Sequence, residues 1–291
     1  MAISSLKDIQ QAYDEGRAHT QRFFKNQSTA FGDLHWIDWA FASGQPAYDA
    51  RIGTGLAFNP FVATKNDAIY FPDIPAEQSR HLVGINMNTP GGSTGQIICG
   101  LMLYDLIGVY PLIDGDSTDE QSLDNTLTLP RYASGEGVQA VLVNHVAPIV
   151  SAADGVMTYT NSDGQNKSVA IRAALTGQNK AVTAIPTTGA LGALNVPLAS
   201  GCKGVRSVNS ITWTAAPGGL FAIYLIKPLT TINNNDGNAV TQKVWTEKCL
   251  CLNNAWQCPR IYDGAHLGFF VMTNGSARTF GVFGNLNFVW G

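Results

Sequence analysis

The sequence predicts a mainly β protein, an antiparallel β-sandwich or jelly-roll-like domain carrying an N-terminal helical arm. Three observations lead there. Short apolar runs are separated by turn residues roughly every 8–15 positions, the spacing of sandwiches and barrels. Phe280, Val282, Gly284, Leu286, Phe288 and Trp290 fall on alternate positions, the period of a strand with one buried face. Apolar strands do not alternate with helical segments, as a parallel α/β sheet requires, and no repeat recurs at a fixed period.

Taken in order, Ser4 to Asn26 reads as the one helix, with Ser4 or Ser5 as N-cap and Leu6, Ile9, Tyr13, Phe23 and Phe24 as an intermittent apolar stripe. Gly16 interrupts it, so a bend or two shorter helices is expected. The narrow stripe suits an arm docked on its own domain or on a neighbouring subunit. Phe31 to Phe61 is aromatic and turn-rich, and Trp36 to Phe41 fits either a short helix or a strand. Ala68 to Pro75 reads as a strand that stops at Pro72, and His81 to Met87 as another short strand. Gln96 to Leu112 is almost continuously apolar, either one bent strand or two strands divided near Gly108.

Leu127–Pro130 and Val138–Val150 follow as strands. Val156–Thr160 and Lys167–Leu175 flank Asn161-Ser-Asp-Gly164, a hairpin signal. Ser207–Ala215 and Leu220–Lys227 flank Ala216-Pro-Gly-Gly219, a second one. Thr230 to Asn238 is a polar loop, and Ala239–Trp245 and Ala255–Ile261 are short strands. Asn274-Gly275 between Leu267–Met272 and Phe280–Trp290 is the third hairpin signal, because both residues accept the positive φ of a type I′ turn. Phe280–Trp290 is then an interior strand, with Trp290 as a packing residue. The organisation read from this pattern is a helical arm over 1–30, an irregular aromatic-rich region over 31–90, and a sandwich over 91–291.

Composition narrows the function classes. The 291 residues are 45% hydrophobic and only 13% charged, against about 25% charged in an average soluble domain. Asn, Thr, Ser, Gln and Gly therefore cover the surface. A neutral surface suits burial in an assembly, where each charge must be desolvated or paired, although an ordinary Gly/Thr/Asn-rich β protein shares it. A net charge of −3 without a long basic run argues against nucleic acid. No apolar run reaches the roughly 20 residues of a membrane-spanning helix. The stretch MAISSLKDIQQAYDEG lacks the apolar core and cleavage site of a signal peptide. Five cysteines, an odd number, do not make a complete disulfide framework, so folding in a reducing cytoplasm is expected.

Four constellations bear on chemistry. Gly91-Gly-Ser93-Thr-Gly95 matches the nucleophile-elbow pattern, with His145 and His266 downstream, but the apolar run after it reads as a strand where the elbow needs a helix. Cys249, Cys251 and Cys258 supply three thiols where a zinc site needs four ligands, with His266 eight residues on; small buried apolar residues are the favoured reading over a metal site or a disulfide. Asp114, Asp116, Asp119, Glu120 and Asp124 gather in one loop without the spacing of an EF-hand, the pattern of a solvated acidic turn. Trp36 and Trp39 beside Asp38 offer either core packing or a sugar-stacking platform. No cofactor fingerprint is present, and no catalytic, cofactor or metal residue is assigned.

At Arg80-His-Leu-Val-Gly84, Leu129-Pro-Arg-Tyr-Ala-Ser-Gly-Glu-Gly-Val-Gln-Ala-Val-Leu-Val143 and Gly219-Leu-Phe-Ala-Ile-Tyr-Leu-Ile-Lys-Pro-Leu229, the chain resembles structural proteins of tailed-bacteriophage virions. The resemblance spans roughly residues 80 to 291 and is one of style, so no functional residue carries over. It implies a non-enzymatic subunit of a head, neck or tail, most of all a capsid decoration (cement) protein in the virion after synthesis in the host cytoplasm. The implied partners are copies of itself, as a trimer, and the major capsid protein. The subunit contact is expected at Tyr13, Phe23, Phe24, Trp36 and Trp39.

Overall fold

The computed structural model describes residues 3–27, 36–47, 60–65, 68–89, 97–123, 127–146, 152–173, 194–233, 244–250, 258–274 and 280–291. One helix, α1 (Leu6–Asp14), opens the chain. The strands that follow are β1 (Ala18–Gln27), β2 (Trp36–Asp38), β3 (Ser43–Gln45), β4 (Phe61–Val62), β5 (Arg80–Thr89) and β6 (Ile97–Asp114). Next come β7 (Gln121–Ser122), β8 (Gln139–Val146), β9 (Ala153–Asn161), β10 (Asn166–Ala173) and β11 (Val205–Trp213). The last five are β12 (Leu220–Asn233), β13 (Val244–Cys249), β14 (Arg260–Ile261), β15 (His266–Asn274) and β16 (Phe280–Trp290). The fold is mostly antiparallel β with one N-terminal helix, as the sequence predicts.

The strands form three sheets. The central sheet runs β2-β15-β6-β12-β8, with β4 added on β6. A second runs β13-β5-β16-β1-β3, with β14 on β5, and a third runs β10-β9-β11-β7. Strands β6 and β12, at 18 and 14 residues, are long enough to serve both neighbours. Towards one end the central sheet packs Leu101, Leu103, Ile232 and Phe269 against Phe23, Ile85, Leu286 and Phe288 of the β16 sheet. Towards the other it packs Ile107, Tyr110, Phe221 and Ile223 against Met157, Tyr159, Ile211 and Trp213 of the β9 sheet. One continuous sheet thus backs two sandwiches, while Tyr104, Leu106, Val141 and Tyr224 on its other face pack with Trp36 and Leu194. Strand β6 is a single strand, bulged against β12 beside Gly108 and again near Leu112, where φ is +59°. Each bulge shifts which side chains face the core, so a long strand follows two differently angled sheets.

Several expectations are corrected. The helix expected over Ser4–Asn26 ends after Asp14. Gly16 at φ +71° carries a Schellman turn, in which its N–H reaches Tyr13 O at 3.1 Å and Arg17 N–H reaches Ala12 O at 2.7 Å. Phe23 and Phe24 then lie on opposite faces of β1, not on one helical stripe. The hairpin expected around Asn274-Gly275 does not form: β15 pairs with β6 and β2, β16 with β1 and β5, and residues 275–279 lie outside the described residues. The connection at Pro217–Gly219 likewise crosses between sheets. Gly218 and Gly219, both at positive φ, exchange backbone bonds with Gly115 instead of closing β11 onto β12. In each case the two flanking strands lie in facing sheets and bury their apolar sides in one shared core, Phe269 with Phe288 and Trp213 with Phe221, so the chain passes over the core instead of pairing edge to edge.

Only Asn161–Gly164 of the three hairpin signals joins paired strands, β9 and β10, with Thr160 opposite Asn166. Leu127–Pro130 and Ala68–Pro75 are buried in part but add no strand. β12 runs on to Asn233, through the start of the expected polar loop. Trp36–Phe41 divides into β2 and a short 3-10 helix, Trp39–Phe41. Strand β16 is interior, between β1 and β5, and Val282, Leu286 and Phe288 are buried as the alternation requires. Strands β1 and β5, from the segments before residue 90, flank β16 in one sheet, and residues 90–96 lie outside the described residues.

Candidate functional site

The outer face of the β16 sheet, away from the central sheet, brings together the features with most to offer a partner. Along β16, Phe283, Asn285, Asn287 and Val289 alternate with the buried Val282, Leu286 and Phe288. Opposite them on β1 stand Phe24, Arg22, Thr20 and Ala18, in that order. At the Val289 end, α1 covers the face: Ile9 and Ala12 pack with Val83 and Val289. Ser5 caps the helix by accepting Asp8 N–H at 3.2 Å, and Arg17 ties its exit to the end of β16 through the Trp290 carbonyl. Bonds from Ser4 and Ser5 hold the Asp8 carboxyl below the usual carboxylate range, which suits an acid in the first turn of a helix.

Next to its packed side α1 exposes two apolar side chains, while Lys7, Gln10 and Asp14 make its outer side polar. Leu6 is 52% and Tyr13 47% exposed, and a separation of seven residues puts them on the same helical stripe. At the opposite end of the face, Phe24 and Phe283 are direct cross-strand partners and both are exposed. Between the two ends Thr20 Oγ1 donates to Asn287 Oδ1 at 2.9 Å, and Asn285 N–H donates to Asn86 Oδ1 at 2.9 Å. The face therefore carries two aromatic or aliphatic patches joined by an amide-rich strip.

Of the residues singled out from sequence, Tyr13 and Phe24 reach this face. Phe23, Trp36 and Trp39 do not: all three are packed inside the chain itself. Phe23 lies 4.6 Å from Phe269 between ring centroids. Asp38 caps the 3-10 helix through Ala40 N–H at 3.0 Å and accepts Tyr104 Oη at 2.8 Å, so the Trp36–Trp39 segment is a core element and not a sugar platform. Phe283, Arg22 and Asn285 were missed. Their signal was present, since the alternation that buries Val282 and Leu286 leaves Phe283 among asparagines on the solvent side. Its partner Phe24, more than 250 residues away, is set by a strand pairing that no local pattern announces.

The candidate chemical residues separate. Ser93 lies outside the described residues, as do Cys251 and Asp124. His145 on β8 is buried and shares a 2.8 Å hydrogen bond with Tyr224 Oη. His266, at the start of β15, bonds the Thr64 carbonyl through Nδ1. Cys249, at the end of β13, is exposed and Cys258 is half-buried, so neither is the fully buried small residue that the sequence suggested. Asp114 caps Asp116 N–H at 2.8 Å, and Gln121 folds back on the Asp114 backbone, so the acidic turn is organised by its own bonds. Among the described residues, no three His, Cys, Asp or Glu side chains converge as metal ligands would. Nor is any described helix long and apolar enough to cross a membrane.

No family model matches this chain, and no curated protein does. Among solved structures, it is similar at 11% identity to the infectious bursal disease virus Gx strain structure, over 93% of this chain and 80% of that one, with a TM-score of 0.20. T=1 particles derived from the same virus match at 12% identity and TM-score 0.20, over 94% and 77% of the two chains. Its VP2 subviral particle matches at 10% identity and TM-score 0.19, over 94% and 80%. At such scores the likeness carries no argument about what this chain does.

Proposed function

We propose that this chain is a non-enzymatic structural subunit of a virion that assembles with copies of itself. The observation that carries the reading is the two-sided use of α1. Its inner side fastens to Val83 and Val289, while Leu6 and Tyr13 hold an apolar stripe out to solvent. A helix pinned to its own sheet that still exposes apolar side chains is suited to cover part of a neighbour. The two sandwiches backed by one sheet supply a stiff block, and the 13% charge content leaves little to desolvate when faces meet. In its finer form the reading is a decoration protein on a tailed-phage head, trimeric and bound to the major capsid protein. That form rests on the resemblance over residues 80 to 291.

Native mass measurement of the full chain tests the assembly. A closed oligomer, a trimer in the finer form, is expected, and Leu6→Ser with Tyr13→Ser should dissociate it without changing the thermal unfolding of the subunit. A chain that stays monomeric at tens of micromolar before any substitution overturns the reading.

A further inference from the structure

Beyond α1, the outer face of the β16 sheet forms an open groove of about 550 Å³, within the size range of small-ligand sites. Phe24 and Phe283 provide its apolar part. They are 47% and 42% exposed at directly opposed positions of one sheet face, and the Phe24 ring leans towards Gly281, so the two apolar side chains line the groove next to each other. Gln45 stands opposite Phe24 on β3. The neighbouring row runs Arg22, Asn285 and Asn86 across β1, β16 and β5, steadied by the Asn285 N–H to Asn86 Oδ1 bond.

The charges are uneven in this groove. Arg22 is exposed and makes no ion pair among the described residues, although the chain as a whole is net acidic. No residue lining the groove carries a carboxylate. Glu247, opposite Asn86 on β13, is the acid in the same row. It stands three strand spacings from Arg22, roughly 14 Å, beyond the screening length of about 8 Å in physiological salt.

We infer that this groove binds an acidic oligosaccharide, with a sugar carboxylate on Arg22 and an adjoining sugar ring on Phe24 and Phe283. Aromatic faces take the C–H faces of sugar rings. Asn and Gln amides donate and accept at once, as hydroxyl groups do, so the amide row matches a hydroxyl-rich ligand. The guanidinium fork matches a carboxylate by two parallel bonds. One arginine is too small a footprint for nucleic acid, which needs a basic stripe. The inference does not depend on the assembly reading, because the stripe on α1 and this groove occupy opposite ends of the face.

The test is titration of the full chain with sialyllactose, with a hyaluronan tetrasaccharide, and with lactose as the uncharged control, followed by ligand-observed NMR. Saturable binding of at least one acidic sugar, at least tenfold tighter than lactose, is expected. Phe24→Ala and Phe283→Ala should each weaken it at least tenfold, and Arg22→Gln should bring the acidic sugar down to the level of lactose. Thermal unfolding run in parallel confirms that each variant is folded. Absence of binding to either acidic sugar at millimolar concentration overturns the inference, as does equal binding of lactose or an unchanged affinity in Arg22→Gln. Oligomer mass is read separately, so loss of either result leaves the other standing.

Discussion

Arg131 holds Asp105 by two parallel hydrogen bonds, Nε to Oδ2 at 2.9 Å and Nη2 to Oδ1 at 2.8 Å, with both side chains withdrawn from solvent. Asp105 stands on β6 between Leu103, which belongs to one core, and Ile107, which belongs to the other. Arg131 also donates to the Leu106 carbonyl at 2.9 Å, and the His266 N–H donates to Asp105 Oδ1 at 2.9 Å. The pair therefore joins the central sheet to the segment before β8 at the seam between the two sandwiches. Burial pushes the Asp105 carboxyl up, and the bonds from Arg131 and then from His266 oppose that rise.

Arg131→Met leaves that carboxylate buried without its counter-charge and should cost about 3–5 kcal/mol of stability. The variant should also be most stable in acid. A carboxyl whose folded pKa lies above the ordinary 3.8 holds its proton more tightly when folded, so stability falls as pH rises through that folded value. Asp105→Leu combined with Arg131→Met should recover most of the loss, because neither charge is then stranded. Urea unfolding of the wild type, both single variants and the pair completes the cycle. A loss in Arg131→Met no larger than that of an exposed arginine would sink the account.

Neighbouring phenylalanines on β1 should behave oppositely. Phe23 is 2% exposed and lies over Gly284, where an added Cβ would come within 2.7 Å of its ring and 2.1 Å of the Asn86 carbonyl. Phe23→Ala should cost about 3–5 kcal/mol and Gly284→Ala about 1–3 kcal/mol. Phe24→Ala, one residue on but facing solvent, should stay within about 0.5 kcal/mol of wild type. Denaturant midpoints of the three variants check this ordering.

The same two residues show what the sequence made legible. Alternation along Phe280–Trp290 identified an interior strand and its buried face, because burial on one side imposes a period of two whatever the partner. It did not identify the partner. Asn-Gly and Pro-Gly-Gly signals report that the chain turns, not that the flanking strands pair. Between Asn274 and Phe280, and at Pro217–Gly219, the chain passes from one sheet to another. The apolar stripe through Tyr13, Phe23 and Phe24 misled for a related reason: helical and strand spacings coincide over few residues, and only the glycine at 16 separates them. The groove was illegible because its two aromatic rings come from opposite ends of the chain.

His81 gives a pH dependence of definite sign. It lies on β5, its Nδ1 3.1 Å from the Cys258 carbonyl and its Nε2 3.4 Å from Ser79 Oγ. Burial pushes its pKa below 6.5; the carbonyl raises it in part, and the nearby Arg260 lowers it further. The unfolded imidazole thus takes a proton at a pH where the folded one does not. Stability from this group is complete above about pH 6.5 and declines as pH falls towards the folded value, by at most about 1.4 kcal/mol per pH unit. His81→Gln should flatten that part of the curve. Melting temperatures between pH 5 and 8 that fall equally in both proteins would assign the slope elsewhere.

Gly16 decides whether the chain leaves its helix where the structure has it. With φ at +71° and no atom within 4 Å of where a Cβ would stand, the position has room for a side chain but the wrong backbone for one. Gly16→Ala should therefore destabilise by about 1–2 kcal/mol, the penalty of placing an L side chain in the left-handed region. Gly16→Asn should lose less, since asparagine tolerates that conformation. If the helix instead ran on through this residue, as the stripe from Ser4 to Asn26 suggests, alanine would stabilise by roughly 1 kcal/mol over glycine. The sign of the change in thermal unfolding separates the two, and a stabilising Gly16→Ala would remove β1 from its place beside β16.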